Sequence, residues 1–145
     1  MNPDRALSPA RLAALLLPPL LAMGLIFFLS AQPSEPVDRA WWDVLLRKLA
    51  HFTEYAVLTA LWWRALRGLG AEFRPALAGA LAISLGYAVT DELHQTFVDG
   101  RHGSPLDVLI DSAGMAAAVA VIVLLRLRAP AADLRALAPE RRVRE

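Results

Sequence analysis

Residues 91–111 read Asp-Glu-Leu-His-Gln-Thr-Phe-Val-Asp-Gly-Arg-His-Gly-Ser-Pro-Leu-Asp-Val-Leu-Ile-Asp and separate two long apolar stretches. This polar stretch contains five carboxylates, two histidines and one arginine. Ionisable side chains near hydrocarbon are costly, so they persist mainly where they face the interior of a helix bundle and have a function. The stretch therefore predicts a boundary between two membrane helices and, at that boundary, the functional site.

The composition indicates an integral membrane protein. Of the 145 residues, 57% are apolar and 20% are charged, and the mean hydropathy is +0.43, which is too apolar for a soluble domain. The absence of cysteine excludes disulfides, thiolate metal ligands and a cysteine nucleophile. Basic residues flank the apolar segments and are not interleaved with aromatic residues on a surface, so no nucleic-acid partner is predicted.

The first apolar segment, residues 12–31, has no charged residue and is long enough to cross about 30 Å of hydrocarbon. A basic lead precedes it, as in a secretory signal, but Leu29 occupies a position that needs a small residue before a cut near Ala31. The segment is therefore interpreted as a retained helix. Pro18 and Pro19 predict a kink or a break in it, which membrane helices tolerate when neighbours satisfy the freed carbonyls.

Three further apolar segments complete the prediction of an all-α, polytopic membrane protein with a bundle of four transmembrane helices. The second helix covers about residues 44–66, and the third starts near Pro75 and ends before the turn at 99–103. The fourth covers about residues 105–127, with Ser104 as its N-cap. A small-residue face on the third helix favours close packing; it contains Gly79, Ile83, Gly86 and Thr90.

The distribution of positive charge predicts the orientation in the membrane. With alternate loops on opposite sides, eleven positive residues share one side: Arg5, Arg11, Arg64, Arg67, Arg74, Arg126, Arg128, Arg135, Arg141, Arg142 and Arg144. Four share the other side: Arg39, Arg47, Lys48 and Arg101. By the positive-inside rule both termini are cytoplasmic and the two short loops face outward. The chain then divides into a cytoplasmic lead (1–11), a membrane domain (12–127, motif core 48–114) and a basic cytoplasmic tail (128–145), whose arginines are expected to contact anionic membrane lipids.

Each of the last three helices has one polar stripe. At 100° per residue, the stripe of the second helix covers an arc of about 120° and contains Lys48, His51, Glu54, Tyr55 and Leu58. The third helix places Asp91, Glu92 and Gln95 within about 100°, by the same geometry. On the fourth helix, Asp107 and Asp111 share about 60° with the small residues that follow them. Burying these groups separately in lipid would be costly, which predicts a shared, water-accessible pocket that opens outward.

Several chemical roles are open to these side chains. The candidates for general acid–base chemistry are His51, Glu54, Asp91 and Glu92. His51 with Glu54 could transfer protons, or His51 could simply satisfy a carbonyl or a carboxylate. The four carboxylates Asp91, Glu92, Asp107 and Asp111 could hold a divalent cation, or zinc if His51 joins them, although no familiar metal spacing is present. The alternative is ion pairing with Lys48 and Arg101.

The candidates for ligand contact are Lys48, Tyr55, Gln95, Arg101, Asp107 and Asp111. Arg101 could bind a phosphate or a carboxylate through its forked donors, or it could clamp Asp91 or Asp107. Gln95 could orient a ligand or bridge helices. His94 points away from Asp91 and is interpreted as a helix-interface residue, and His102 as a loop residue.

The chain resembles the VanZ-like family of small bacterial membrane proteins. Three separated blocks carry the resemblance: Lys48-x-x-His51-Phe52-x-Glu54-Tyr55-x-x-Leu58, Asp91-Glu92-x-x-Gln95 followed by Gly100-Arg101, and Asp107-x-x-x-Asp111-x-x-Gly114. Two positions depart from the family pattern, because Asp99 stands where proline is expected and Asp111 where asparagine is common. The resemblance implies a multi-pass protein of the bacterial cytoplasmic membrane, and the founding member is associated with resistance to the glycopeptide teicoplanin.

Three functions are consistent with these observations. The first is binding of, or action on, a cell-envelope precursor or another lipid-linked anionic ligand at the extracytoplasmic side. The second is a non-enzymatic scaffold or interaction protein in the membrane. The third is a proton-coupled transporter, which the clustering of polar residues on one side disfavours. The sequence does not identify the ligand, a cofactor, the oligomeric state or a nucleophile for catalysis.

Overall fold

The computed structural model describes residues 7–32, 41–101 and 103–136, with side chains up to residue 128. The described chain forms four α-helices: α1 (Pro9–Ser30), α2 (Trp41–Gly68), α3 (Phe73–Gln95) and α4 (Pro105–Ala136). The prediction of an all-α, four-helix bundle is therefore confirmed. Predictions made for individual residues of the lead, the outer loops and the tail fall outside the described residues or their side chains: Arg5, Arg39, His102, Arg135, Arg141, Arg142 and Arg144.

Three of the helices are long and apolar enough to cross a membrane: α1, α3 and the Pro105–Arg128 part of α4. The remaining helix, α2, is long enough to cross a membrane at 28 residues. It carries the Lys48 to Glu54 polar stripe and further charges near both ends. α2 packs against each of the other three helices, most extensively against α4. The most polar helix thus lies at the centre of the bundle, where its charged residues can meet partners.

Two prolines lie inside α1 without breaking it. Pro18 has no N–H to donate to the carbonyl of Ala14, four residues earlier. Arg64 of α2 supplies a substitute donor, because its Nη1 lies 3.3 Å from the Ala14 carbonyl oxygen. The predicted break at Pro18 and Pro19 does not occur, in part because a neighbouring helix satisfies one of the freed carbonyls.

The helix ends differ modestly from prediction. Ser104 caps α4 as predicted, since its Oγ accepts a hydrogen bond of 3.2 Å from the Leu106 N–H and the helix begins at Pro105. α4 runs past the predicted end at Leu127 to Ala136 and includes Pro130. Most of the other residues in this extension are alanine, leucine and arginine, which favour helix.

The packing of α3 uses the predicted small-residue face only in part. The buried residues of α3 follow a stripe of small side chains that ends in the polar cluster: Ala76, Ala80, Ser84, Ala88, Asp91, Glu92 and Gln95. Gly86 and Thr90 are exposed, and a Cβ at Gly86 would meet nothing within 4 Å. Gly79, at the other end of the predicted face, packs against α2, because a Cβ there would meet the Leu66 side chain. Nearer the polar cluster the alanine face is the one turned inward, together with Asp91 and Glu92.

Close contact between α2 and α4 depends on Gly114. A Cβ at this position would clash with the carbonyl oxygen of Phe52. The two backbones therefore approach each other more closely than any larger residue would allow. Because Phe52 follows His51 and Gly114 lies one turn after Asp111, this contact sets the distance between the polar stripes of the two helices.

Candidate functional site

Two charged contacts join α2 to α4 at the end of the bundle where α4 begins. Lys48 Nζ donates to Asp107 Oδ1 at 2.8 Å, and one turn further His51 Nδ1 lies 3.2 Å from Asp111 Oδ1. The Lys48–Asp107 pair is partly exposed, whereas His51 and Asp111 are buried. Lys48 on α2 therefore meets Asp107 on α4, and one turn deeper His51 meets Asp111.

Asp91 of α3 is held from two sides. Its Oδ1 accepts a hydrogen bond of 2.6 Å from Ser30 Oγ of α1, and its Oδ2 accepts one of 3.0 Å from Gln95 Nε2, one turn later on α3. Asp91 is only 3% exposed. Both of these hydrogen-bond donors are neutral. Through the Ser30 hydroxyl group, α1 takes part in the polar cluster.

Arg101, in the turn between α3 and α4, contacts the end of α1. Its Nε donates to the Gln32 carbonyl and its Nη2 to the Leu29 carbonyl, both at 2.9 Å, and its Nη1 lies 3.4 Å from Gln95 Oε1. A cation at a helix C-terminus also interacts favourably with the helix dipole. Of the two predicted roles, the structural clamp is present, and it joins the turn to backbone carbonyls at the end of α1 and to the Gln95 side chain.

Glu92 anchors the turn that leads into α4. Its Oε2 accepts a hydrogen bond of 2.7 Å from the Ser104 N–H, and its Oε1 lies 3.5 Å from Gln95 Nε2. The turn lies directly against α3 at Gly103. A Cβ at this position would clash with the Glu92 carbonyl oxygen, so only glycine allows the contact. This contact holds the first turn of α4, and with it Asp107, close to the end of α3.

Three buried side chains meet in the centre of the cluster. His51, Glu92 and Asp111 each offer one nitrogen or oxygen atom, and these atoms all lie within 4.8 Å of one another. They come from α2, α3 and α4, one from each helix. The second carboxylate oxygen of Asp111, Oδ2, is buried and has no hydrogen-bond partner in the described part of the chain. The prediction that the polar stripes of three helices converge agrees with this geometry.

A cavity of about 440 Å³ lies between α1, α2 and α3 at this end of the bundle. Four of the predicted site residues line it: His51, Glu54, Asp91 and Arg101. Glu54 lines the cavity with a half-buried carboxylate. The cavity wall therefore combines cationic, anionic and imidazole groups within a largely apolar surround.

The other predicted residues lie around the cavity without lining it. Lys48, Glu92, Gln95, Asp107 and Asp111 make up the ion-pair and hydrogen-bond network behind the cavity wall. Tyr55 is fully buried, its hydroxyl has no partner in the described part of the chain, and its ring lies 6.4 Å from the ring of Tyr87. His94 stacks on Phe27 of α1 at 4.5 Å, as expected of a helix-interface residue.

Several residues of the site were not predicted from the sequence. Asp43 and Arg47 line the cavity, and their positions eight and four residues before His51, respectively, place them on its face of α2. That periodicity was a usable signal. Ser30 gave none, because it lies at the end of an apolar segment that reads as a simple membrane span. A larger cavity, of about 670 Å³, lies at the opposite end of the bundle, beside Arg126, whose guanidinium sits 3.8 Å from the centre of the Phe73 ring.

The chain matches a known protein family. The family model described as VanZ/LLP1 matches residues 14–126, which is most of the chain and includes every predicted site residue. The chain belongs to the VanZ/LLP1 family. No curated protein and no solved structure matches it. With three apolar helices long enough to span a bilayer, this VanZ/LLP1 protein is a multi-pass membrane protein, as the sequence predicted.

Proposed function

We propose that this VanZ/LLP1 protein binds an anionic group of a cell-envelope or lipid-linked ligand in the cavity between α1, α2 and α3. The observation that carries the proposal is the pair of cationic side chains in the cavity wall, Arg47 and Arg101. They stand among His51 and three carboxylates, Asp43, Glu54 and Asp91. Forked guanidinium donors suit phosphate and carboxylate groups. The apolar remainder of the wall, from α1 and α2, suits a hydrocarbon chain attached to such a group.

Glu54 and His51 are the residues best placed to exchange a proton with the bound group. Glu54 lies one turn after His51 on the same side of α2, and both line the cavity. His51 is held by Asp111 at 3.2 Å, which fixes the orientation of its ring. Asp91 also lines the cavity, but Ser30 and Gln95 occupy its oxygens. We therefore assign acid–base chemistry first to Glu54 and His51, and a positioning role to Asp91.

The positive-inside rule supports an extracytoplasmic position for the cavity, with both termini in the cytoplasm. Lipid-linked precursors of the envelope are exposed on that side of the bacterial cytoplasmic membrane. Binding of such precursors on the extracytoplasmic side would connect the protein to glycopeptide susceptibility. In the same orientation the basic tail faces anionic lipids of the inner leaflet.

A binding experiment with matched ligands and variants tests the proposal. The purified protein in lipid nanodiscs is titrated with a polyprenyl phosphate, with the uncharged polyprenol of the same length, and with an anionic phospholipid. Loss of a charge-assisted contact should weaken binding by about tenfold or more. We expect the phosphate to bind more tightly than the other two lipids, and Arg47→Gln to weaken that binding.

Lys48→Gln is the control, because it removes the same charge from the next residue, and Lys48 does not line the cavity. Equal binding of the alcohol and the phosphate, or equal losses in the two variants, would contradict the proposal. Mass spectrometry of the recovered ligand separates an enzyme from a non-enzymatic binding protein. Loss of phosphate or transfer of another group indicates chemistry, and recovery of unchanged ligand indicates binding alone.

The proton-coupled transporter is a weaker hypothesis, because the other half of the bundle is mainly apolar. Its buried residues include Leu58, Ala65, Ala76, Ala80 and Ile122, which offer no proton-carrying groups. A transport path would have to open between them. We expect no proton flux in proteoliposomes, and a flux that depends on Glu54 would support the transporter hypothesis instead.

A further inference from the structure

The meeting point of His51, Glu92 and Asp111 has the side chains of a metal centre. Their donor atoms lie within 4.8 Å of one another, and the three residues are 8%, 5% and 0% exposed. Each comes from a different helix, so the set is built by the tertiary fold and held on rigid elements. Exposed acidic clusters are common on protein surfaces, whereas a histidine and two carboxylates buried together require a compensating charge.

The hydrogen bonds around the two carboxylates supply little of that compensation. Glu92 accepts from the Ser104 N–H and from Gln95, which are neutral donors. Asp111 contacts only His51 among the described residues, through Oδ1. Its Oδ2 is buried without a hydrogen-bond partner in the described part of the chain, which leaves a strong acceptor directed into protein. Such an atom is costly to bury unless a proton or a cation meets it.

We propose that His51, Glu92 and Asp111 bind one zinc ion. Zinc in catalytic sites takes three protein ligands from histidine and carboxylates and keeps a fourth position for water or substrate. Calcium takes about six to eight oxygen ligands, more than this set provides, and magnesium is bound through carboxylates, waters and substrate phosphates. A histidine nitrogen among the ligands suits zinc better than either ion. At metal–ligand distances near 2.1 Å, tetrahedral ligand atoms lie about 3.4 Å apart. The 3.2 Å between His51 Nδ1 and Asp111 Oδ1 is close to this spacing, and zinc would take the place of the proton between these two atoms. The donor atoms of all three side chains lie within 4.8 Å of one another, so the set would contract around the ion.

The neighbours of Glu92 suit a ligand role. The Ser104 N–H holds Oε2 at 2.7 Å, which orients the carboxylate while Oε1 remains for the ion. Hydrogen bonds of this kind fix metal ligands and are themselves important for affinity. The turn that supplies Ser104 is held against α3 at Gly103, so the support does not depend on a loose loop.

A zinc ion here would act on the molecule bound in the proposed function. His51 belongs both to the proposed zinc ligands and to the cavity wall. An ion bound to His51 would therefore lie next to the cavity, separated from a bound ligand by this one side chain. There it could polarise a phosphoryl or carbonyl oxygen or activate water. In that state His51 is a ligand, and Glu54 is the acid–base group at the cavity. This consequence rests on the proposed function, whereas zinc binding itself does not.

The test uses the full chain carrying a purification tag without histidine, because a polyhistidine tag binds zinc. The protein is treated with chelator, dialysed and titrated with zinc chloride, and its metal content is measured by mass spectrometry. We expect one zinc ion per chain. Asp111→Asn and Glu92→Gln, which preserve side-chain shape, should weaken zinc binding by at least about 100-fold.

Two matched control variants distinguish a specific zinc site from nonspecific binding of zinc to acidic side chains. Asp107→Asn removes a carboxylate one turn from Asp111 that pairs with Lys48, and Glu54→Gln removes one that lines the cavity. Both variants should keep one zinc ion per chain. Absence of zinc binding by the wild type, or equal losses in all four variants, would overturn the proposal and assign a shared proton to the triad.

The same preparations distinguish the two proposals. If zinc binding fails while the polyprenyl phosphate still binds in an Arg47-dependent manner, only the metal centre is refuted. If zinc binds and the phosphate does not, the centre stands and the ligand assignment fails. Thermal unfolding of each variant in detergent identifies any that lose zinc because they no longer fold.

Discussion

The imidazole of His51 and the carboxylate of Asp111 lie 3.2 Å apart, although 60 residues separate them along the chain. Gly114, one turn after Asp111, permits this contact because it lets α4 reach the backbone of α2 at Phe52. The chemistry of the site therefore depends on a glycine that carries no functional group. The first prediction concerns that glycine.

Gly114→Ala should destabilise the protein, because its Cβ would clash with a backbone carbonyl that cannot turn aside. Overpacking of this kind costs about 1–3 kcal/mol, measurable as a lower melting temperature in detergent. Gly86→Ala is the matched control, since a Cβ there meets nothing within 4 Å. The control should be neutral or slightly stabilising, because alanine favours helix over glycine by about 1 kcal/mol. Equal melting temperatures for the two variants would refute the close approach of α2 and α4.

Ser30→Ala should destabilise the junction between α1 and α3. The substitution removes the 2.6 Å hydrogen bond to Asp91 and leaves a buried carboxylate oxygen with one donor fewer. Loss of a partner for a buried polar group costs about 1–3 kcal/mol. Ser112→Ala is the control, because its hydroxyl bonds only to the Val108 carbonyl of its own helix. Thermal unfolding should show a clearly larger loss for Ser30→Ala, and similar losses would argue against the Ser30–Asp91 contact.

Arg64→Met should loosen α1, because the Ala14 carbonyl that Pro18 leaves free would lose its donor from α2. Hydrogen exchange followed by mass spectrometry of the peptide that covers α1 should become faster. Arg67→Met provides the comparison, because Arg67 donates instead to the Ala71 carbonyl beyond the end of α2. Unchanged exchange in α1 for both variants would mean that the prolines are accommodated without Arg64.

Reporter fusions after residues 70 and 102 should lie on opposite sides of the membrane, with residue 70 in the cytoplasm. The expectation follows from the eleven positive residues on one side and four on the other and from the positive-inside rule. An alkaline phosphatase fusion is active only outside the cytoplasm, and a green fluorescent protein fusion is fluorescent inside it. Both reporters on one side would contradict the passage of α3 through the bilayer, and the reverse orientation would place the cavity in the cytoplasm.

Much of the architecture follows from local sequence patterns. Hydropathy and length predict the helices, and the Ser104-Pro105 pair predicts the start of α4, because capping depends on residues within one turn. The polar stripes on α2, α3 and α4 follow from helical periodicity. The packing of α3 shows the limit of this reasoning, since both the glycine face and the alanine face suit close packing. The alanine face is buried together with Asp91 and Glu92, whereas the glycine face is close-packed at Gly79.

The sequence by itself therefore determined that the chain is a membrane bundle of four helices whose polar stripes are gathered near one end. Hydropathy and periodicity are properties of neighbouring residues, which is why they can be read locally. Only the tertiary structure decided the partners: Lys48 with Asp107, Asp91 with Ser30, and Arg101 with the end of α1. These pairings depend on how each helix is rotated and how closely it approaches its neighbours. Contacts such as Gly114 on Phe52 set that rotation and distance between residues far apart in the chain.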